Sequence, residues 1–305
     1  MEAGRHPAMS FRPYPTRSGF ITLAVTVISG ATTILLINQL LQQNDPLQIF
    51  KYLIWMLVAL GITGVALYLT LVAFRLDYHL SRNGVTIQWG LGQQRIPIEA
   101  IEKIIFGQQI NTLPNFSSVN LGGLRLGWGE SSDYGPLKLR TTAPTDHSLL
   151  IVTPNVSYLI SPHQPQAFIK AWQIRRELGP TQHWNAQTRR QWPFNLPQFT
   201  DPLTWWLLAI AAALCFVLFG YIALQYANLP QALPVHFNNL GRADRIANKV
   251  TLFVFPAAGT LVWLVNGVLG ILFYRREKVA AYFLWGSSIA MQLCLWLATL
   301  TIASA

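Results

Sequence analysis

The chain of 305 residues is poor in charge, in cysteine and in acid. Only 11% of it is Asp, Glu, Lys or Arg, where a soluble domain carries about 25%, and 52% is hydrophobic. That deficit excludes an ordinary soluble globule. The two cysteines, Cys215 and Cys294, lie inside apolar runs, where cysteine behaves as a small hydrophobe, so neither a disulfide framework nor a cysteine metal quartet is available. Acidic residues number 12, and none pairs near a candidate nucleophile. The six histidines (His6, His79, His147, His163, His183, His236) show no HxxxH or HExxH spacing. G-x-S-x-G, a P-loop and a helix-opening G-x-G-x-x-G are missing, and GGLRLGWG at 122–129 lacks the Lys-Ser/Thr of a phosphate cradle. With no catalytic constellation, the expectation is a protein that is not an enzyme and holds no cofactor. The net charge of +10 suits basic residues retained on the cytoplasmic side of a membrane rather than a nucleic-acid partner.

What the chain has instead is long apolar runs. A helix needs about 20 apolar residues to cross the hydrocarbon core, and five stretches qualify: 19–41, 52–74, 203–226, 250–274 and 279–302. The first (GFITLAVTVISGATTILLINQLL) is too long for a signal-peptide core and has no A-x-A site after it, so it reads as a retained span. Arg5, Arg12 and Arg17 precede it, twelve basic residues fill 75–202, and RREK links the last two spans. These place the N-terminus and the large insertion in the cytoplasm and the C-terminus outside, in a bacterial plasma membrane. No span carries an ionisable residue in its middle, which argues against a proton-coupled transporter. Asn266 and Gln292 are the main polar residues at depth and suit interhelical hydrogen bonds.

The insertion changes period. Tyr78 and Leu80 alternate with polar neighbours, Asn83-Gly84 turns, and Val85, Ile87 and Trp89 alternate in a second strand. Arg95–Ile98, 135–140, 149–153 and 156–161 read as further strands, while the Gly-, Asn- and Ser-rich 107–135 reads as a hairpin excursion with part of a strand at 121–126, or as a binding loop. Ser161, Pro162 and Gln164 read as N-cap, first helical position and capping-box residue of a helix to Leu178, stopped by Gly179-Pro180. Residues 180–202 interleave Trp184, Trp192, Phe194 and Phe199 with Arg189 and Arg190, as a segment lying at the lipid interface does. YHLSRNGVTIQWGLGQQRIPIEAIEKI, with its I-P-I-x-x-I element, and LLIVTPNVSYLISPHQPQAFIKAW together resemble bacterial pleckstrin-homology (PH-like) domains. The resemblance covers roughly 75–178 and implies an α+β protein: five transmembrane helices with a cytoplasmic PH-like β-barrel capped by a C-terminal helix. Lipid-binding PH domains hold headgroup phosphates with several basic residues near the first hairpin. Here that turn offers Arg95 alone, and Lys138 and Arg140, on one face of a strand, are the substitute candidates for headgroup or partner contacts. Residues 76–202 hold eleven basic and eight acidic side chains, 11 − 8 = +3, which favours a cytoplasmic protein partner over a headgroup.

The organisation that follows is a cytoplasmic tail 1–18, a transmembrane hairpin 19–74, the PH-like domain 75–178, a juxtamembrane linker 179–202 and a three-span membrane domain 203–305 with an outer loop 227–249. That loop contains LPQALPVHFNNLGRADRIANK. Its prolines hold an extended exit from the third span, Asn238 and Gly241 suit a tight turn, and Asp244 can lead into the next helix, where its charge suits the N-terminal dipole. His236, Phe237, Asn238, Gly241, Asp244 and Lys249 are the candidate outer-loop site, either a structural hairpin or a ligand site. One His and one Asp make a poor zinc site. The stretch resembles the signature L-P-x-x-[IL]-P-x-H-F-N-x-x-G-x-x-D-x-x-x-x-K…P of a bacterial membrane domain of unknown function, shared with immunity proteins of the SdpI type that protect a producing cell from a secreted toxin. Two functions remain open: a membrane sensor or scaffold coupling the outer loop to the PH-like domain, and a toxin-immunity or small-solute membrane protein acting through the HFN loop. The lipid bilayer is the expected partner in both, and the oligomeric state is not specified.

Overall fold

The computed structural model describes residues 9–110, 115–190, 196–237 and 243–304. They form an α+β protein in two compact units, Met1–Thr33 with Val58–Trp192, and Ile34–Leu57 with Pro193–Ala305. A short strand β1 (Met9–Phe11) leads into two long helices, α1 (Ser18–Gln42) and α2 (Pro46–Arg75), and each helix runs from one unit into the other. Five helices are long and apolar enough to cross a membrane. Threonines are tolerated in α1 and α2 because each hydroxyl donates to the carbonyl four residues earlier, as Thr26 does to Thr22 O at 2.8 Å and Thr70 to Ala66 O at 2.8 Å. Thr26 and Thr70 then meet each other across the hairpin at 3.2 Å.

The first unit carries the PH-like region. It comprises β2 (Asp77–Ser81), β3 (Gly84–Trp89), β4 (Gly92–Pro97), β5 (Lys103–Phe106), β6 (Asn115–Leu121), β7 (Leu124–Ser131), β8 (Gly135–Thr141), β9 (Leu149–Val152) and β10 (Ser157–Ile160). Helix α3 (Pro165–Leu178) and strand β11 (Gln187–Arg190) follow. Two sheets result, ordered β1-β2-β3-β4-β11 and β5-β9-β10-β8-β7-β6, with β8 and β10 parallel. Their inner faces supply Tyr78, Leu80, Val85, Ile87 and Ile96 on one side and Leu149, Ile151 and Ile160 on the other, and Phe168 and Trp172 of α3 pack into the same core.

The expected closed barrel is not formed. No ladder joins the two sheets among the described residues. The reason lies at β4, whose free edge is taken by β11 (Gln187↔Arg95 to Arg190↔Gly92) while β5 pairs with β9 instead. Pro97, which has no N–H to offer a ladder, ends β4, and a 3-10 turn at Ile98–Ala100 replaces the expected end of that strand. Part of the linker expected at the lipid interface is therefore a strand of the sheet; Trp192 and Phe194 lie outside the described residues.

Three further details differ from expectation. The hairpin excursion expected at 107–135 is β6 with β7, and its turn falls at Gly122-Gly123, inside the piece read as strand. Both glycines have positive φ (58° and 102°), and a Cβ on Gly122 would lie 2.8 Å from Ile21 Cδ1, so the turn admits no side chain beside the start of α1. Helix α3 begins at Pro165 with Gln164 as an N-cap that makes no side-chain bond. Ser161 is used elsewhere: its Oγ accepts from Thr142 N at 2.8 Å and lies 3.4 Å from Tyr78 Oη. Lastly, Met9–Phe11, within the N-terminal tail 1–18, is the edge strand beside β2.

The second unit contains α4 (Pro202–Gln225), β12 (Ala232–Phe237), β13 (Ala243–Asn248), α5 (Val254–Phe273) and α6 (Lys278–Ser304). Indole N–H groups join its helices, with Trp263 donating to Leu208 O and Trp296 to Leu214 O, both at 3.0 Å. Phe50 of α2 packs on Phe216 and Phe219 of α4.

Tyr78 makes the PH-like core testable. Its hydroxyl donates to Arg140 O at 2.7 Å and accepts from Ser161 N at 3.2 Å, and burial pushes its pKa from 10.0 to about 12. Tyr78→Phe leaves that carbonyl and N–H unpaired and should lower stability by about 1–3 kcal/mol in urea unfolding of the detergent-solubilised chain. A folded-state pKa above the unfolded one gives stability that is complete below pH 10 and lost as pH rises toward 12. The variant should therefore also show a flatter alkaline limb.

Candidate functional site

The outer-loop candidates fall on a β-hairpin between α4 and α5. Strands β12 and β13 pair antiparallel, Ala232↔Asn248 through Phe237↔Ala243, with His236 opposite Arg245. The register shifts on either side of His236, between Pro234 and His236 and between His236 and Phe237. Such bulges increase local twist and re-aim the strand. His236 and Phe237 are placed here by their backbones; Asn238 and Gly241 lie outside the described residues. Asp244 is exposed on β13 and does not lead the following helix. That place belongs to Asn248, whose side chain accepts from Val250 N at 3.0 Å at the head of the 3-10 turn Lys249–Phe253.

Lys249 closes the base of the hairpin. It is only 7% exposed, and its Nζ donates to Tyr226 O at 2.8 Å and Leu229 O at 3.3 Å while lying 4.4 Å from the Tyr226 ring centroid. An ammonium has three donors, and these two carbonyls and one aromatic face account for them. The carbonyls belong to the C-terminal end of α4 and the exit from it, where a cation also suits the helix dipole. Leu233 of β12 packs below, with Leu218, Ile222, Leu252 and Ile302.

The PH-like candidates separate. Ile96 of β4 points into the core, so Arg95 points out, where its guanidinium stacks over Trp184 at 5.3 Å. Lys138 and Arg140 lie together on the inner face of the other sheet. Lys138 sits over Trp128 at 4.7 Å and Tyr158 at 5.8 Å, and Arg140 reaches across to Trp89 at 4.6 Å. Neither forms an ion pair among the described residues, and the buried Nε of Arg140 has no partner there. Burial, and then repulsion from Arg140, holds the Lys138 pKa below its ordinary value. Two desolvated cations without a carboxylate can accept an anion.

A further cluster, which sequence reasoning missed, lies where α4 begins, α5 ends and α6 begins. Asp201 caps α4, accepting from Leu203 N at 3.1 Å. Its Oδ2 also accepts from the hydroxyls of Tyr274 and Tyr282 and lies 3.4 Å from Lys278 Nζ. The two phenols hold the Asp201 pKa down at about 2. The four residues are scattered over 82 positions; the only signal was a lone acid before Pro202 and aromatics flanking RREK.

Within the helices, Asn266 Nδ2 donates to Ser287 and Ser288 at 3.2 and 3.1 Å, as interhelical bonding requires. Gln292 instead lies fully buried against Gly259, with neither amide atom bonded. Helices α2, α4 and α5 border a cavity of about 470 Å³ lined by Leu57, Cys215, Phe216, Thr260 and Trp263 among others. Its thiol and hydroxyl both bond to Pro256 O, at 3.3 and 2.8 Å. The lining is mostly apolar, and its thiol and hydroxyl already have partners, so the cavity suits an apolar occupant.

Two family models match parts of the chain. The bacterial PH domain matches residues 76–176 and the domain of unknown function DUF1648 matches residues 213–260. The first match contains β2 to the last turn of α3, and the second runs from mid-α4 through the hairpin into α5. Comparison with curated proteins and with solved structures finds no match.

Lys249→Met removes the donor to two carbonyls at the hairpin base and should cost about 1–3 kcal/mol, with Lys249→Arg retaining more of the stability; thermal unfolding in detergent reads both. Asp201→Asn should flatten the acid limb of the same measurement. A carboxylate whose folded pKa is about 2, below the ordinary 3.8, contributes stability that is complete above pH 3.8 and lost as pH falls toward 2.

Proposed function

We propose that the chain is a non-enzymatic sensor or scaffold of the bacterial cytoplasmic membrane, coupling an outward β12–β13 hairpin to a cytoplasmic PH-like domain. The observation that carries this reading is that α1 and α2 are each shared between the two units. One unit contains the PH-like region and the other the hairpin, and both helices are continuous in the chain from one to the other. A single candidate span, α4, separates the PH-like region from the hairpin in the chain, and one crossing puts them on opposite faces of a bilayer. The distribution of Lys and Arg supports the PH-like side as cytoplasmic. On that side the Lys138–Arg140 pair is the candidate contact for an anionic headgroup or a protein partner.

The DUF1648 match, with a base held by Lys249, favours a second reading as an immunity protein of the SdpI type, with the hairpin exposed to a secreted toxin. Gene deletion and His236→Ala that leave sensitivity to secreted toxins unchanged would remove it. The sensor reading is tested by hydrogen exchange on the full chain in detergent, comparing wild type with Lys249→Met. Exchange should rise in the hairpin and also in α1, α2 and the strands of the PH-like region. A change confined to residues 193–305 sinks the coupling. For sidedness, Ile246→Cys should react with an impermeant maleimide in intact cells and Lys103→Cys only in inverted vesicles.

A further inference from the structure

Residues 9–16 cross the PH-like domain as an extended strap. Met9, Ser10 and Phe11 pair with Leu80, His79 and Tyr78 of β2. Beyond β1 the main chain keeps bonding: Tyr14 N donates to Ser161 O at 2.7 Å, His163 N to Arg12 O at 2.9 Å, and Thr142 Oγ1 to Tyr14 O at 2.7 Å. Side chains add further contacts: Thr16 Oγ1 donates to Gly122 O, and the Tyr14 ring stacks on His147 with centroids 5.9 Å apart. Phe11 is 9% exposed and meets Phe168 edge-on, with centroids 5.0 Å apart. Ser10 Oγ donates to Asp77 Oδ2 at 2.7 Å. Met9, Ser10, Arg12 and Tyr14 are otherwise exposed.

Recognition through the main chain with a pocket for one side chain is how an extended peptide is read when it adds a strand to a sheet edge. The edge and the pocket belong to the matched domain, which begins at residue 76; the strand that fills them comes from outside it. The other edge of β2 is already paired with β3, so withdrawal of the strap exposes one bare edge beside an empty aromatic pocket. We infer that this edge, with the Phe168 pocket, is a peptide-binding groove occupied in cis by residues 9–14. Its partner in trans is an extended peptide bearing a hydroxyl–aromatic pair like Ser10-Phe11, with a proline two residues after the aromatic. A tethered occupant faces an effective concentration in the millimolar range, so the resting protein excludes a free peptide. Only the trigger rests on the sensor reading: the strap runs directly into α1 at Ser18, so movement of that helix pulls on it.

The test uses the full chain in detergent and a labelled peptide MSFRPYPT, followed by fluorescence anisotropy. In one variant a protease site inserted between Pro15 and Thr16 is cut after folding, which frees the strap. In another, Phe11→Ala weakens the anchor in place. Both should bind the peptide at least tenfold more tightly than wild type, and a peptide with Ala for Phe should lose at least tenfold. Combining Phe11→Ala with Ser10→Cys and His79→Cys pairs two cysteines across the ladder, at a spacing a disulfide can bridge. The oxidised form should exclude the peptide and the reduced form bind it. Cut protein that ignores the peptide, binding indifferent to the lock or to the peptide's Phe, or a strand-swapped dimer in place of peptide binding overturns the groove. None of these results depends on whether Lys249→Met alters exchange in the PH-like region, so groove and sensor fail separately.

Discussion

A polar group carried toward hydrocarbon must bring its partner with it, and the second unit is arranged around that constraint at the two ends of α4. The N-terminal end, rich in unpaired N–H groups, receives the carboxylate of Asp201; the carbonyls at the C-terminal end receive the ammonium of Lys249. Each charge has the sign that the helix dipole favours, and each is bonded to a second element as well. Asp201 gathers Tyr274 from the end of α5 and Tyr282 and Lys278 from α6, while Lys249 ties in the base of the hairpin. The side of α4 repeats the logic with neutral groups, since its carbonyls at Leu208 and Leu214 accept indole protons from α5 and α6. Helix α4 is thus the fixed reference of its unit.

In the PH-like unit the same need for partners operates at strand edges. A sheet edge is a row of unmade hydrogen bonds, and here both edges of the β2–β3–β4 sheet are covered by segments outside the matched domain. Strand β1 comes from before the first long helix and β11 from after α3. Covering the β4 edge with β11 is what leaves the barrel open. The domain therefore exchanges closure on itself for attachment to its flanking chain, and its sheet is complete only with residues on both sides of the family match.

Much of this was legible in sequence because it depends on local period. Five apolar runs, the Val85–Ile87–Trp89 alternation and the Gly179 stop each need only neighbours along the chain. Pairings between distant segments were not legible. Nothing local in Gln187–Arg190 distinguishes a fifth strand from an interfacial peptide, because arginines beside aromatics suit either. Ser161 has the chemistry of an N-cap, yet its hydroxyl is drawn to Thr142, an interaction across the core that outcompetes a local cap. Lys249 read as a motif position, and its role at the base of the hairpin emerged only when Tyr226 and Leu229 turned their carbonyls toward it. The Asp201 cluster was hidden for the same reason, being assembled from three helix ends.

Not every buried polar atom is supplied with a partner, and the exceptions carry information. Eight buried side-chain atoms make no bond among the described residues, including both amide atoms of Gln292 and the Nε of Arg95 and of Arg140. For Gln292 the packing explains the position: Gly259 leaves room for the amide, and a Cβ there would lie 2.6 Å from its oxygen. Arg140 has a different cause. It reaches from β8 to Trp89 of β3, across the interior between two strands that are each paired on both sides within their own sheets. Lys138 shares its face, and aromatic rings, which attract a cation but cannot neutralise it, stand where a carboxylate would otherwise be. The two cations therefore face aromatic rings on the inner face of β8, with no carboxylate beside them among the described residues.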